Sequence, residues 1–323
     1  MSAAYRIVLT GGQETPPVVT AASGSGYAIF NSATSALFYS MNILGLDWGT
    51  FLGEAAQTPG TTADDINGAH FHGGATGVPG GVILGLMSDG DFAVSAIAAN
   101  GSRTVTGNWQ TTDAPSITPF LATFSGAGAL NAPIPVYANF HTVAHGGGEI
   151  RGQLILIATD SSETVTGTSG IDVLPGLGGN DVINGFGSSD NLIGAAGADT
   201  LNGGGGADKL NGGTGLDVLT GGAGVDKFVF NVAPTPGNRD TITDYTVVDD
   251  TIQIENAIFA GIGGPGTLAA AAFHAGAAAA DASDRIIYNP ANGKLYYDSD
   301  GVGGAAQVQF ATLSVGLALT AAE

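Results

Sequence analysis

The sequence predicts an all-β chain: an N-terminal antiparallel β-sandwich or barrel joined to a parallel β-roll that ends in a C-terminal β cap. Three observations predict it. A nine-residue motif recurs without a slip between residues 167 and 229. Short apolar runs separated by Gly, Pro, Asn and Asp fill the first half. No amphipathic helical pattern longer than two turns interrupts those runs. The 323 residues divide accordingly into 1–158, 159–230 and 231–323.

In the first segment, residues 5–9, 26–30, 37–43, 81–87, 92–98, 136–140 and 149–157 read as strands of a sandwich or barrel. In the second, aspartates stand at 172, 181, 190, 199, 208, 217 and 226. Two residues after each comes an apolar residue: Leu174, Ile183, Leu192, Leu201, Leu210, Leu219 and Phe228. Five residues before each comes a glycine, from Gly167 to Gly221. A flexible linker would not hold Asp and Leu in phase. The glycines supply tight turns, the apolar residue sits in a very short strand, and two nonads complete one coil. In the third segment, the alanine-rich stretch 268–281 predicts one helix, on intrinsic propensity.

Composition narrows the function. The chain carries 28 acids against 8 bases, a net charge of −20. That excludes nucleic acid as a partner and disfavours anionic membranes. The absence of cysteine excludes disulfides and thiolate metal sites. No run is long and apolar enough for membrane insertion, and the first residues show no N-terminal signal peptide. Residues 160–323 hold 19 of the acids and five of the bases.

Coils stacked at strand spacing, roughly 4.8 Å, place Asp172 beside Asp190, Asp181 beside Asp199, and so on. Ionised carboxylates at that distance repel, and a hard dication held by carboxylates and turn carbonyls removes the repulsion. Seven turns give five complete pairs, hence about five calcium ions or more. Asp190, Asp199 and Asp208 each serve two sites, and Asp172, Asp181, Asp217 and Asp226 serve one each. Phe186 and Ser188 replace glycines in one turn, so the sites using Asp190 are expected to be distorted or weaker. Asp298 and Asp300 are candidates for one more calcium, a solvated β-turn being the alternative reading. They do not form an EF-hand, whose ligands at the fifth and twelfth loop positions are missing.

The nonads resemble the RTX, or hemolysin-type, calcium-binding repeat family. Residues 226–230, 240–245 and 249–252 resemble the family's exit from the roll, and 284–288 and 293–301 its C-terminal cap. The resemblance implies export by a type I secretion machinery and an extracellular or cell-surface location. In the first half, the words TGGQETPPV (10–18), AHFHGG (69–74), NFHT (139–142) and GGEIRGQL (147–154) resemble, in that order, the CHRD domain first named in chordin. That family carries no single accepted activity.

His70 and His72, two apart on a strand, face one side. With His141 they are candidate ligands for zinc or copper, and His145, Glu149 and Glu14 lie near in sequence or motif. The alternative is a hydrogen-bonded polar network. Arg151 is expected to pair with a carboxylate such as Glu14. No nucleophile elbow, P-loop or HExxH motif occurs. The sequence therefore reads as a secreted, non-enzymatic calcium-binding structural or adhesive protein, able to form homo-oligomers or surface assemblies. The rival reading is a metal-dependent oxidoreductase centred on the histidines.

Overall fold

The computed structural model describes residues 2–11, 22–46, 66–73, 82–85, 93–95, 103–109, 123–124, 129–142 and 150–322. The chain forms two compact units, Met1–Thr159 and Asp160–Glu323.

The first unit contains β1 (Ala3–Thr10), β2 (Ser23–Asn31), β3 (Ala36–Leu44), β4 (Ile66–Gly73), β5 (Val82–Gly85), β6 (Ala93–Val94), β7 (Arg103–Trp109), β8 (Pro133–Thr142) and β9 (Ile150–Thr159). They form one antiparallel sheet in the order β5-β4-β8-β9-β1-β2-β3-β7-β6. Alternation drives it: Tyr5, Ile7 and Leu9 of β1 are fully buried on one face, as are Leu37, Tyr39 and Met41 of β3. The sheet curls around this core. Phe71 of β4 and Trp109 of β7, near opposite ends of the strand order, stack with ring centroids 6.5 Å apart. Tyr39 meets Phe71 edge-on at 5.3 Å, and Phe124 meets Trp109 edge-on at 5.8 Å.

Two of these strands are not apparent from the sequence pattern. β7 (RTVTGNW) buries Arg103, Val105, Gly107 and Trp109 in alternation, an inward set with only two large apolar members. Gly107 lies against the Tyr39 ring, where a side chain would collide with the phenol. β4 (INGAHFHG) hides its signal among glycine and histidine.

The second unit opens with β10 (Thr164–Thr166), β11 (Val173–Pro175), β12 (Val182–Gly187), β13 (Asn191–Ala196), β14 (Thr200–Gly205), β15 (Lys209–Thr214), β16 (Val218–Ala223) and β17 (Lys227–Phe230). It continues through β18 (Asp240–Ile242), β19 (Thr251–Ile254), β20 (Phe273–Ala275), β21 (Ile286–Asn289), β22 (Lys294–Tyr297) and β23 (Val308–Thr312). Successive strands alternate between two parallel stacks. One runs β10-β12-β14-β16-β18 and continues through β23-β22-β21-β20; the other runs β11-β13-β15-β17-β19. Partners are 18 residues apart: Ile183 pairs with Leu201 and Leu201 with Leu219, while Leu174 pairs with Leu192 and Leu192 with Leu210. All six are completely buried between the stacks. Each such side chain contributes roughly 1.5–3 kcal/mol.

One expectation for this unit needs correction. The stretch 268–281 does not form one helix. It makes a 3₁₀ turn at Ala270–Ala272 and then β20, whose Phe273, His274 and Ala275 pair with Ile286, Ile287 and Tyr288. Strand pairing overrides the alanine propensity, and Gly276 follows at once. The turn with Phe186 and Ser188 keeps its place in the stack, Phe186 pairing with Gly204 and Gly187 with Gly205. Both residues adopt the left-handed φ, 75° and 77°, that Gly204 and Gly206 supply one coil later at 101° and 138°. The departure is absorbed as backbone strain of about 1–2 kcal/mol per residue.

Candidate metal centre

Every roll aspartate from Asp172 to Asp226 is at least nine-tenths buried, although each is the charged residue of a turn. The turn places each one directly over its counterpart in the next coil. The backbone N–H of Asp172 donates to Asp190 Oδ1, that of Asp181 to Asp199, and that of Asp190 to Asp208, each at 2.8 Å. Asp199 N–H reaches Asp217 Oδ1 at 2.9 Å and Asp208 N–H reaches Asp226 Oδ1 at 2.8 Å. Two columns of carboxylates run along the roll, one on each edge.

The second carboxylate oxygen behaves differently along the columns. Oδ2 of Asp181, Asp190, Asp199, Asp208, Asp217 and Asp226 is buried without a hydrogen-bond donor. At Asp172 it accepts from the N–H of Thr168 at 2.6 Å and the Thr168 hydroxyl at 2.9 Å. A buried carboxylate oxygen with no partner is costly, by more than the 1–3 kcal/mol of a neutral group.

The glycine five residues before each aspartate explains what that oxygen faces. A Cβ added to Gly185 would lie 2.5 Å from Asp190 Oδ2 and 2.6 Å from the carbonyl oxygen of Gly203 in the next coil. The same pairing of own-turn carboxylate and next-coil carbonyl recurs at Gly167, Gly176, Gly194 and Gly203. At Gly212 and Gly221 the nearest atoms are all the aspartate's own. Five cradles thus bring together a buried carboxylate oxygen, orphaned in all but the first, and a main-chain carbonyl. This all-oxygen donor set is what a hard cation such as Ca²⁺ takes, and Ca²⁺ accepts flexible spheres of 6–8 oxygens. Among the described residues no three His, Asp or Glu side chains converge, so carbonyls must complete any such sphere.

Sequence models match two successive stretches of the chain. Residues 5–154 match the CHRD domain, and 157–185, 166–201 and 202–230 match the RTX calcium-binding nonapeptide repeat. The chain carries a CHRD domain followed by RTX repeats. No curated protein matches it. Among solved structures, a subunit of the mannuronan C5-epimerase of Azotobacter vinelandii is 23% identical, covering 49% of this chain and 71% of its own. The TM-score of that likeness is 0.19, too low to bear on fold or function.

The RTX columns run past the last nonad. Asp217 N–H donates to Asp240 Oδ1 at 3.3 Å and Asp226 N–H to Asp250 Oδ1 at 3.0 Å. The sequence spacing here is 23 and 24 residues rather than 18, so a strict nonad count stops short of both. The surviving signal is the Asp-x-Ile trio, in Asp240-Thr241-Ile242 and Asp250-Thr251-Ile252. Asp217 and Asp226 are therefore interior members of their columns, where the repeat count made them terminal. Asp250 is a self-satisfied end like Asp172, because its Oδ2 accepts from Thr246 N–H at 2.8 Å.

Gly203 offers a direct probe of the cradle. Its φ lies outside the left-handed region, so alanine there adds a methyl group without backbone strain. Gly203→Ala places that methyl 2.6 Å from the Gly221 carbonyl. The expected result is a rise in the calcium midpoint of about tenfold, or 1.4 kcal/mol, by calcium titration followed by circular dichroism.

Burial, together with repulsion from column neighbours, pushes Asp181, Asp190 and Asp226 up to about 6 despite opposing backbone hydrogen bonds. Asp217 is likewise raised to about 6, and Asp240, facing it, to about 8. Burial also raises Asp199 and Asp208. A carboxyl whose folded pKa is raised takes up protons on folding. Its stabilisation is complete below the unfolded value of 3.8 and is lost as pH rises through about 6, and through about 8 for Asp240. Calcium-free protein should therefore gain roll structure on acidification from about pH 8 to about pH 4.5. Calcium needs the ionised form, so with calcium the dependence reverses: the midpoint concentration falls as pH rises. Circular dichroism against pH, with and without calcium, checks both signs.

The other candidates are placed as follows. Asp298 and Asp300 share one cap loop apart from the columns. Asp298 Oδ1 accepts from the N–H groups of Asp300 and Gly301 at 3.2 and 3.0 Å, and Asp300 Oδ2 accepts from Ala305 N–H at 3.1 Å. These are the bonds of a side-chain-capped turn. Strand register brings His70, His72 and His141 to one face of the β4/β8 pair: His70 stands opposite Asn139, His72 opposite Tyr137, and His141 opposite Gly68. Glu14, His145 and Glu149 lie outside the described residues. Arg151 lays its guanidinium over the Tyr137 ring, 3.4 Å from the centroid.

Proposed function

We propose that this is a secreted calcium-binding structural or adhesive protein. Its RTX roll folds on extracellular calcium and displays the CHRD domain for surface, matrix or self-assembly contacts. The observation that carries this reading is the set of six buried, donor-less carboxylate oxygens stacked in two columns. Five cradles with a carbonyl from the next coil support about five calcium ions held inside the roll.

The mechanism follows from mass action. At the submicromolar calcium of a cytosol, carboxylate repulsion and glycine flexibility oppose the roll, and the chain stays export-competent for a type I machinery. At millimolar calcium each ion binding only the folded form adds RT ln(1 + [L]/Kd), about 2.7 kcal/mol at a hundredfold excess over Kd. Several such ions replace the disulfides that this cysteine-free chain lacks. Among the described residues no helix is long and apolar enough to cross a membrane.

Equilibrium dialysis with radiolabelled calcium should count about five ions per chain, and light scattering across the same titration should show calcium-dependent assembly. Fewer than two bound ions would overturn the roll reading. Full calcium loading without assembly, and without retention on a cell surface, would overturn the adhesive one.

A further inference from the structure

We propose that the second unit carries a docking site for an extended peptide strand, laid antiparallel along the open edge of β19. The stack β11-β13-β15-β17-β19 stops at β19, while the other stack continues past β18 through β23, β22, β21 and β20. β19 therefore has a strand on one side only. The N–H groups of Thr251 and Glu255 donate to the carbonyls of Asp226 and Phe230 at 2.8 and 2.9 Å, so residues of that parity turn their main-chain groups to β17. The N–H and C=O groups of Ile252 and Ile254 point the other way. Among the described residues no main-chain or side-chain group answers them.

A cavity of about 510 Å³ lies along this edge, within the roughly 300–1,000 Å³ of ligand pockets. Residues 251–256 line it consecutively. Thr251 and Gln253 belong to one face of the strand and Ile252 and Ile254 to the other, so a cavity that touches all four wraps the edge itself. Its floor is one face of the continuing stack, where Ile286 stands opposite Phe273 and the buried Leu295 and Phe310 lie beside them. An acyl chain would suit that floor but would leave four polar main-chain groups unpaired. An added strand pairs them and turns alternate side chains onto the floor. Charge sets its direction. Lys227, opposite Thr251, stands at the start of β19 and Glu255 follows its end, and both line the cavity. An antiparallel strand brings its C-terminal end to Lys227 and its N-terminal end to Glu255, so opposite charges meet at both. The partner is an extended segment with alternate apolar residues, acidic at its C-terminal end and basic at its N-terminal end.

The test uses the full-length protein in millimolar calcium, its fold verified by circular dichroism. The probes are synthetic heptapeptides Lys-X-Thr-X-Thr-X-Glu with free termini, X being Val, Ile, Leu or Phe. Calorimetry should show one equivalent bound per chain. Residues opposite Ile252 and Ile254 share their face, so the X positions face the floor and their N–H groups pair with β19. N-methylating the X residues should weaken binding at least about tenfold, and N-methylating the Thr residues should leave it unchanged. Ile254→Pro removes a donor from the open edge and none from the ladder to β17, and should also weaken binding about tenfold. Replacing the terminal Glu by glutamine amide should weaken binding to the wild type and not to Lys227→Gln. No saturable binding by any of the peptides, equal losses from both N-methylated sets, or uptake of dodecanoate with the peptides excluded would overturn the docking site. An equal effect of the terminal amide on wild type and Lys227→Gln would overturn its antiparallel direction.

Discussion

Withdrawing calcium from the full-length protein is expected to erase the β structure of Asp160–Glu323 while Met1–Thr159 stays folded. The two units have separate interiors. Among the described residues, the first is held by an aromatic core: Tyr5, Tyr39, Phe71, Trp109 and Phe124 are all fully buried. In the second, the roll has a thin seam of one apolar residue per nonad set against columns of buried acids, and the larger apolar cluster around Phe230, Phe259, Tyr288 and Phe310 lies beyond the last nonad. At roughly 4.8 Å, two ionised carboxylates repel by about 3–4 kcal/mol at an effective dielectric constant of about 20. Each column repeats that interaction along its length. Every coil also orders several glycines, each costing about 0.5–1 kcal/mol more than alanine. A few inward leucines per column do not offset both. Peptide-resolved hydrogen exchange after chelation should show the amides of β10–β19 exchanging freely and those of β1–β3, β8 and β9 still protected. Persistent protection of the roll would contradict calcium-linked folding.

Asp199→Ala should raise the calcium midpoint at least about tenfold further than Asp172→Ala. Asp199 lies mid-column, with Oδ1 bonded to Asp181 N–H, its own N–H bonded to Asp217, and Oδ2 orphaned beside Gly194 and the Gly212 carbonyl. Its loss leaves two ions short of a ligand, and about 1.4 kcal/mol per ion is tenfold each. Asp172 ends its column and is already satisfied by Thr168. Asp199→Asn separates ligation from structure. It keeps an acceptor for Asp181 N–H and removes the charge, so it should retain most of the effect. Equal midpoints for Asp199→Ala and Asp172→Ala in a calcium titration would refute the stacked arrangement.

The roll was legible in the sequence because its chemistry is periodic. Asp, Gly and Leu each have a fixed place in every turn, and the coil turns that spacing into columns. What breaks the period was less visible. Asp240 and Asp250 continue the columns after insertions that only a folded chain closes up. The strand formed by Phe273, His274 and Ala275 depends on a partner, Ile286–Asn289, that intrinsic propensity does not see. In the CHRD domain the strands with large apolar residues announced themselves. β7 did not, because one of its inward positions is a glycine packed on Tyr39. The HxH spacing of His70 and His72 is plain in the sequence. That His141 stands on the same face of the β4/β8 pair comes from a ladder between strands that lie far apart along the chain.

The 18-residue step restricts how such a roll can change in length. Two nonads advance each column by one coil and return every aspartate to its own edge. A single inserted or deleted nonad would instead exchange the edges. Every later aspartate would move to the opposite column, and β18 and β19 would each meet the wrong stack. The steps of 23 and 24 residues that seat Asp240 against Asp217 and Asp250 against Asp226 suit only one phase. The roll can therefore lengthen or shorten in whole coils, each adding or removing two carboxylate pairs, while its cap stays in register. Ion capacity and length are coupled as a single modular variable.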